Sequence, residues 1–334
     1  MKNRNRKISI ISTLALEVLF VIIFGCNKGN NNLVDLKNQH KFVAITGGDG
    51  LEDNIAAYSE DGINWVATKM PYKANWQSVC YGKNKFIAVA GFLKDSNIAA
   101  YSTDGIRWIS ITMPNSALWR SVCYGNGKFV AINGNAAYSD DGINWEVTRL
   151  AFYAIPWWDS VCYGKDKFVA VKSGFLISYS DDGINWDLTT MPNAKWDSVC
   201  YGNGKFVAVS GFLEDSNIAA YSDDGIKWDP TIMPNSTRWR SVCYGNGKFV
   251  AVSDDYKDCN KVAYSDDGIN WKATTMPSNA RWESVCYGND KFVAVTTKDK
   301  EGDNIAAYSD DGIKWIETKM PYKANWQSVC YGGD

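Results

Sequence analysis

The phrase YSDDGINW, Tyr264 to Trp271, returns with small changes at Tyr58, Tyr101, Tyr138, Tyr179, Tyr221 and Tyr308. A second phrase, WxSVCYG, places Cys80, Cys123, Cys162, Cys200, Cys243, Cys286 and Cys330 at matching points. Both occur seven times, and the tryptophans that close the first, Trp65, Trp108, Trp145, Trp186, Trp228, Trp271 and Trp315, stand 37 to 44 residues apart. A period of roughly forty residues is one supersecondary unit, whose apolar face is buried by stacking on its own copies.

Each unit reads the same way. WxSVCYG alternates like a strand, a GNGK-type turn follows, KFVAV is a second run, a variable loop leads to IAAYS, and DDG opens a fourth run beyond INW. The runs are short, rich in β-branched and aromatic residues, and bounded by Gly, Asn or Asp. Four antiparallel strands repeated seven times predict an all-β, closed seven-bladed β-propeller of four-stranded blades. The folded part opens on KFVAI at Lys41 without a preceding WxSVCYG and ends on WQSVCYG from Trp326. The C-terminal strand is therefore expected to join the N-terminal blade and close the ring, which removes free edges.

The first 25 residues differ from the rest. MKNRNRK is a basic head, and the apolar stretch after it is interrupted by Glu17 and ends in Gly25-Cys26. Residues 1–25 read as a signal peptide. The end of the segment resembles the lipobox of bacterial lipoproteins, which implies lipidation at Cys26, a polar tether over 26–40 and a propeller over 41–334. The expected location is the bacterial cell envelope, outside the cytoplasm, with the membrane reached through the lipid anchor alone. The formal charge of the chain is −2, and Lys2, Arg4, Arg6 and Lys7 against Glu17 give residues 1–25 a local +3, which leaves about −5 for the rest. The acidic remainder argues against nucleic acid as a partner.

Counting from its tyrosine, YSDDGINW has Asp third, Gly fifth and Trp eighth, which resembles the Asp-box, or BNR repeat, of the sialidase-like propellers. The resemblance covers about residues 41 to 332. It implies a turn between the third and fourth strands, remote from the active face. The third position is Asp140, Asp181, Asp223, Asp266 and Asp310 in five units but Glu60 and Thr103 in two. The invariant carboxylates stand one place later, at Asp61, Asp104, Asp141, Asp182, Asp224, Asp267 and Asp311. Either the turn-stabilising role has moved to them, or the third position keeps it and tolerates substitution. The repeated tryptophans are expected to pack between units.

Active sialidases need an arginine triad, a tyrosine paired with glutamate, and an aspartic acid. Beyond the signal the arginines are Arg107, Arg120, Arg149, Arg238, Arg240 and Arg281, and the segment that precedes the boxes in active members is missing. The expectation is therefore a protein without catalytic residues. No cofactor is expected, and no metal, because His40 is the single histidine and no CxxC occurs. The seven repeated cysteines read as buried, inert thiols.

Binding is expected on the face opposite the Asp-box turns, where the loops vary. The segment EVTRLAFYAIPW adds Phe152, Tyr153 and Trp157 outside the repeat, candidates for stacking on a sugar. Arg120 and Arg240 join them as ligand-binding candidates. Both occupy the x of WxSVCYG, with Gln77, Asp159, Asp197, Glu283 and Gln327 in the other units, a series placed to line the entrance of a central channel. The functional expectation is a monomeric, exported, lipid-anchored, non-catalytic propeller that binds a glycan or an envelope or extracellular protein. The alternatives are a divergent sialidase-like glycoside hydrolase and an envelope assembly or scaffolding factor.

Overall fold

Every KFVAV run becomes a strand buried on both faces, as its unbroken apolar sequence dictates: Phe42, Val43, Ala44 and Ile45 are fully buried, and so are Phe206 to Val209. A computed structural model describes residues 40–47, 53–91, 97–134, 136–148, 158–211, 217–255, 260–297 and 304–333. These lie in the compact unit Asn38–Asp334. In each unit the buried run pairs antiparallel with WxSVCYG on one side and IAAYS on the other, as in Cys200↔Val207 and Ala208↔Ala220. The alanine pairs of IAAYS are fully buried. Their small side chains let adjacent sheets approach closely.

The hydrogen-bonded sheets number six among the described residues, five of four strands and one of seven, and none closes on itself. This corrects the expected closed propeller of seven separate four-stranded blades. The cause is the single strand Asp187–Gly202, which serves as the fourth strand of one unit and the first of the next. Its middle, the MPNAK segment, finds partners because the preceding strand is lengthened: Ser173 pairs with Lys195 and Gly174 with Ala194, much as Asp53 pairs with Ala74 in the first unit. The C-terminal strand Trp326–Gly332 pairs with Lys41–Thr46, joining the two ends of the repeat in one sheet.

What runs round the molecule is side-chain packing, not a continuous ladder. Seven apolar clusters each span two successive units, and one of them places Phe42 and Trp65 against Val293, Val295 and Met320 from the far end of the chain. The WxSVCYG tryptophans are the largest fully buried side chains. The opening-phrase tryptophans, packed in the same clusters, are 7 to 9% exposed in six units. The serine of WxSVCYG adds a polar link, since Ser198 Oγ accepts from Val242 N–H at 3.2 Å and Ser328 Oγ accepts from Val79 N–H at 3.2 Å. The glycine ending the phrase is set by close approach: a Cβ on Gly202 would stand 2.0 Å from the ring of Tyr244 in the next unit.

The question left by the strict second aspartate has a geometric answer. Asp267 Oδ1 accepts from Ile269 N–H at 2.9 Å and Asn270 N–H at 2.8 Å, and Ser265 Oγ donates to it at 2.9 Å. All seven units repeat the two backbone bonds. Partial burial pushes Asp61 upward, but the backbone and side-chain donors of Asn64, the N–H of Ile63 and the hydroxyl of Ser59 outweigh it and hold the carboxyl at about 2. The third position instead forms exposed ion pairs, such as Lys167 to Asp181 at 2.6 Å. The turn role belongs to the aspartate beside glycine, which explains why Glu60 and Thr103 are tolerated one place earlier.

Candidate functional site

In five of the seven units the residue between Trp and Ser of WxSVCYG occupies a β-bulge. Trp239 pairs with Ser253 and Ser241 with Val252, so Arg240 is the extra residue, and the same shift frees Gln77, Asp197, Glu283 and Gln327. A bulge bends its strand and re-aims a side chain. With Arg120 and Asp159 these residues converge on one recess, about 90 Å³ in volume, which Ser78, Ser241 and Ser284 also line. The recess opens opposite the DDG turns, at the starts of the first strands.

Its charges are paired. Arg240 donates from Nε to Glu283 Oε1 at 2.6 Å and from Nη1 to Asp197 Oδ1 at 3.4 Å. Gln327 Nε2 donates to the same Glu283 oxygen at 2.8 Å, and Arg120 Nη1 to Asp159 Oδ1 at 3.1 Å. Lys195 Nζ stands 3.7 Å from Asp197. The side chains of Asp197 and Glu283 are only 3% and 4% exposed. Glu283 beside Arg240 raises the guanidinium's affinity for its proton despite burial, with Asp197 adding to the effect. Burial pushes Asp159 above the usual carboxylate range, Arg120 opposes that, and the charge of Asp197 reinforces it.

A second ionic group adjoins the first. Asp254, with a side chain 2% exposed, lies 3.2 Å from both Arg238 and Arg281. Burial and the neighbouring Glu283 raise it to about 6 against the opposing guanidinium groups of Arg240, Arg238 and Arg281. Sequence reading missed Asp254, Arg238 and Arg281 as a group. The only signal was arginine directly before the strand tryptophan in two successive units.

The structure thus brings together Arg120 and Arg240 of the expected ligand-binding set. Phe152, Tyr153, Trp157 and Cys26 lie outside the described residues. The described residues contain no cluster of three or more His, Cys, Asp or Glu able to hold a metal. The repeated cysteines are unbridged, and burial pushes every one of their thiols above the ordinary value. A Tyr–Glu pair does exist, with Tyr138 Oη donating to Glu146 Oε2 at 2.5 Å. It borders a separate recess of about 180 Å³ beside the Asp140-Asp141 turn.

No family profile and no curated protein matches the chain. Solved structures do. A streptogramin B lyase is 11% identical over 88% of this chain and 92% of its own, with a TM-score of 0.65. A catalytically inactive histidine-to-alanine variant of virginiamycin B lyase from Staphylococcus aureus, with quinupristin, is 12% identical over 84% and 96%, with a TM-score of 0.63. YCF48 bound to D1 peptide is 16% identical over 75% and 82%, with a TM-score of 0.55. These likenesses show the fold alone, which is β-propeller-like. Because that fold carries catalysis in the lyases, they overturn the expectation of a non-catalytic binding protein and the leaning against an enzyme, while assigning this chain no activity. The physical reason is that an axial site is assembled from single residues some forty positions apart, so the lack of a sialidase motif does not exclude one. The lyase histidine has no counterpart in the recess, since His40 bonds to Tyr331 Oη at 3.0 Å and does not line it.

Proposed function

We propose that the chain is a divergent glycoside hydrolase, remotely akin to the Asp-box propellers, whose chemistry takes place in the axial recess. One observation carries this reading: the partly buried Asp159 and the buried Asp197 are neighbouring carboxylates in unlike surroundings. Asp159 has Arg120 beside it and is pushed by burial towards its protonated form. Asp197 lies between Arg240 and Lys195. Carboxyl groups whose surroundings differ in this way can divide the roles of acid and base. Asp159 would give its proton to the glycosidic oxygen as the bond to the anomeric carbon breaks. Water would supply hydroxide to that carbon and its remaining proton to a carboxylate, so that the reaction consumes one water. Arg120 and Arg240 hold the two acids in place.

A panel of aryl glycosides tests this. Turnover by the wild type and a loss of about 100-fold or more in Asp159→Asn and Asp197→Asn, both still folded, is expected. Absence of turnover across the panel would sink the proposal. We further place the protein at the bacterial cell envelope, anchored by lipid on Cys26 after loss of residues 1–25. Fatty-acid labelling that persists in Cys26→Ala would refute the anchor. The likeness to YCF48 bound to D1 peptide favours a second reading, an envelope assembly factor. Its support would be co-purification of one defined envelope protein that is lost on substituting Arg120 or Arg240.

A further inference from the structure

We infer that the outer strands of three successive units form a face that docks on an anionic lipid bilayer; this is independent of the hydrolase reading and additional to the anchor proposed at Cys26. The residue directly after each opening-phrase tryptophan starts the fourth strand of its unit. In the third, fourth and fifth units it is Glu146, Asp187 and Asp229, whereas in the seventh, first and second it is Ile316, Val66 and Ile109. Those three apolar side chains are 52, 49 and 53% exposed. Each begins the last strand of its sheet: Ile316–Lys319, Val66–Ala74 and Ile109–Thr112. The strands are also tied to one another's units. Thr318 Oγ1 donates to Ile63 O at 2.6 Å and Thr68 Oγ1 to Ile106 O at 2.5 Å, and Lys69 bridges to Arg107 along the backbone.

Two tyrosines and four lysines complete the face. The segment PYKAN, identical at 71–75 and 321–325, follows two of these strands towards the recess side. Trp76 and Trp326 donate from Nε1 to the carbonyls of Tyr72 and Tyr322 at 3.4 and 3.3 Å, which holds the backbone while the rings stay about half exposed. Lys69, Lys73, Lys319 and Lys323 are exposed, and no carboxylate among the described residues stands within ion-pair distance of them. The lysines of the hairpin turns differ, since Lys167 and Lys205 are held by aspartates. On the three outer strands Glu317 is the single carboxylate. Cations beside amphipathic rings and branched aliphatic groups match the boundary of a bilayer, where phosphates meet the ammonium groups and the rings lie at headgroup level. A soluble polyanion would leave Ile109, Ile316 and the rings in water, and a second copy offering the same face would set lysine against lysine. The chain points the same way: the apolar stretch 8–24 joins the folded part at Lys41, in the first unit, the middle one of the three. Docked on these edges, the protein would turn the entrance of its recess along the membrane surface.

Residues 1–25 are themselves basic and apolar, so sedimentation of the full chain with vesicles does not isolate the face; lysine footprinting does. The full chain would be acetylated in solution, on phosphatidylcholine vesicles and on vesicles with about 30% phosphatidylglycerol, and each lysine followed by mass spectrometry. On the anionic vesicles Lys69, Lys73, Lys319 and Lys323 should react about fivefold or more slowly than in solution, while Lys227, exposed in the fifth unit, keeps its rate. Salt at about 0.5 M should remove the protection. Tyr72→Ser/Tyr322→Ser, with an unchanged melting temperature, should bring the four rates to within about twofold of those in solution. Lys73→Gln/Lys323→Gln, which alters exposed charge alone, should do the same for Lys69 and Lys319. Unchanged labelling on the anionic vesicles, or equal protection of Lys227, would overturn the inference. So would protection that grows with protein concentration in the absence of vesicles, the mark of an interface between copies. Equal protection by dextran sulfate that survives the tyrosine change would replace the bilayer with a soluble polyanion and overturn it as well.

Discussion

Arg240 and Glu283 are 43 residues apart in sequence, yet the Nε of one stands 2.6 Å from Oε1 of the other across a boundary between two repeat units. The pair is nearly shielded from water on the carboxylate side, where desolvation is costly and attraction strong. Arg240→Gln leaves Glu283 and Asp197 buried together without their shared cation. A loss of about 3–5 kcal/mol in urea unfolding is expected. The double variant Arg240→Gln/Glu283→Gln should recover a measurable part of it. Equal stability of the single variant and the wild type would show the pair to be energetically idle.

That contact shows which part of the design can be read from sequence. The repeat itself was legible because each unit carries the same signals: the buried KFVAV run, the small alanines of IAAYS and the DDG turn. The merging of two units into one sheet was not, because it depends on whether Ser173 and Gly174 extend a ladder far enough to reach Ala194 and Lys195. Residues at the x of WxSVCYG could be grouped by position, since a shared place in the repeat means a shared place around an axis. Which arginine grips which carboxylate depends on side-chain reach across unit boundaries. Arg238 and Arg281 share one place in two successive units, but nothing periodic ties Asp254 to them.

The two adjacent carboxylates of the turn should behave differently. Asp224 Oδ1 accepts from Ile226 and Lys227 N–H, both at 2.8 Å, whereas the Asp223 carboxylate forms an exposed ion pair with Lys205. Asp224→Ala is expected to cost about 2 kcal/mol by leaving turn donors without their charged acceptor. Asp223→Ala should cost no more than about 0.5 kcal/mol. Paired denaturant titrations decide it, and the reverse ranking would return the turn role to the third position.

Stability should peak in mild acid. The folded-state pKa of Asp254 is raised to about 6, and that of Asp159 also rises. The native state therefore binds more protons than the unfolded chain between about pH 6 and 4, and stability rises as pH falls through that window. The turn aspartates act in the opposite sense. Asp61 and Asp182 are held at about 2, so their contribution is present above about pH 4 and is lost as the pH falls towards 2. Melting temperatures from pH 8 to 3 should pass through a maximum near about pH 4. Asp254→Asn should flatten the rise on the neutral side alone.

Two glycines of one turn separate close approach from backbone strain. Gly202 has ordinary φ, but a Cβ there would meet Tyr244 at 2.0 Å, whereas Gly204 has φ +78° and nothing within 4 Å. Gly204→Ala should cost about 1 kcal/mol through its left-handed conformation alone. Gly202→Ala should cost about 2–3 kcal/mol, because the tyrosine of the next unit must move out of a packed boundary. In the double variant Gly202→Ala/Tyr244→Ala the added penalty of the glycine change should largely vanish. A persistent penalty without the tyrosine ring would mean that the conserved spacing of the phrase is set within a unit and not by its neighbour.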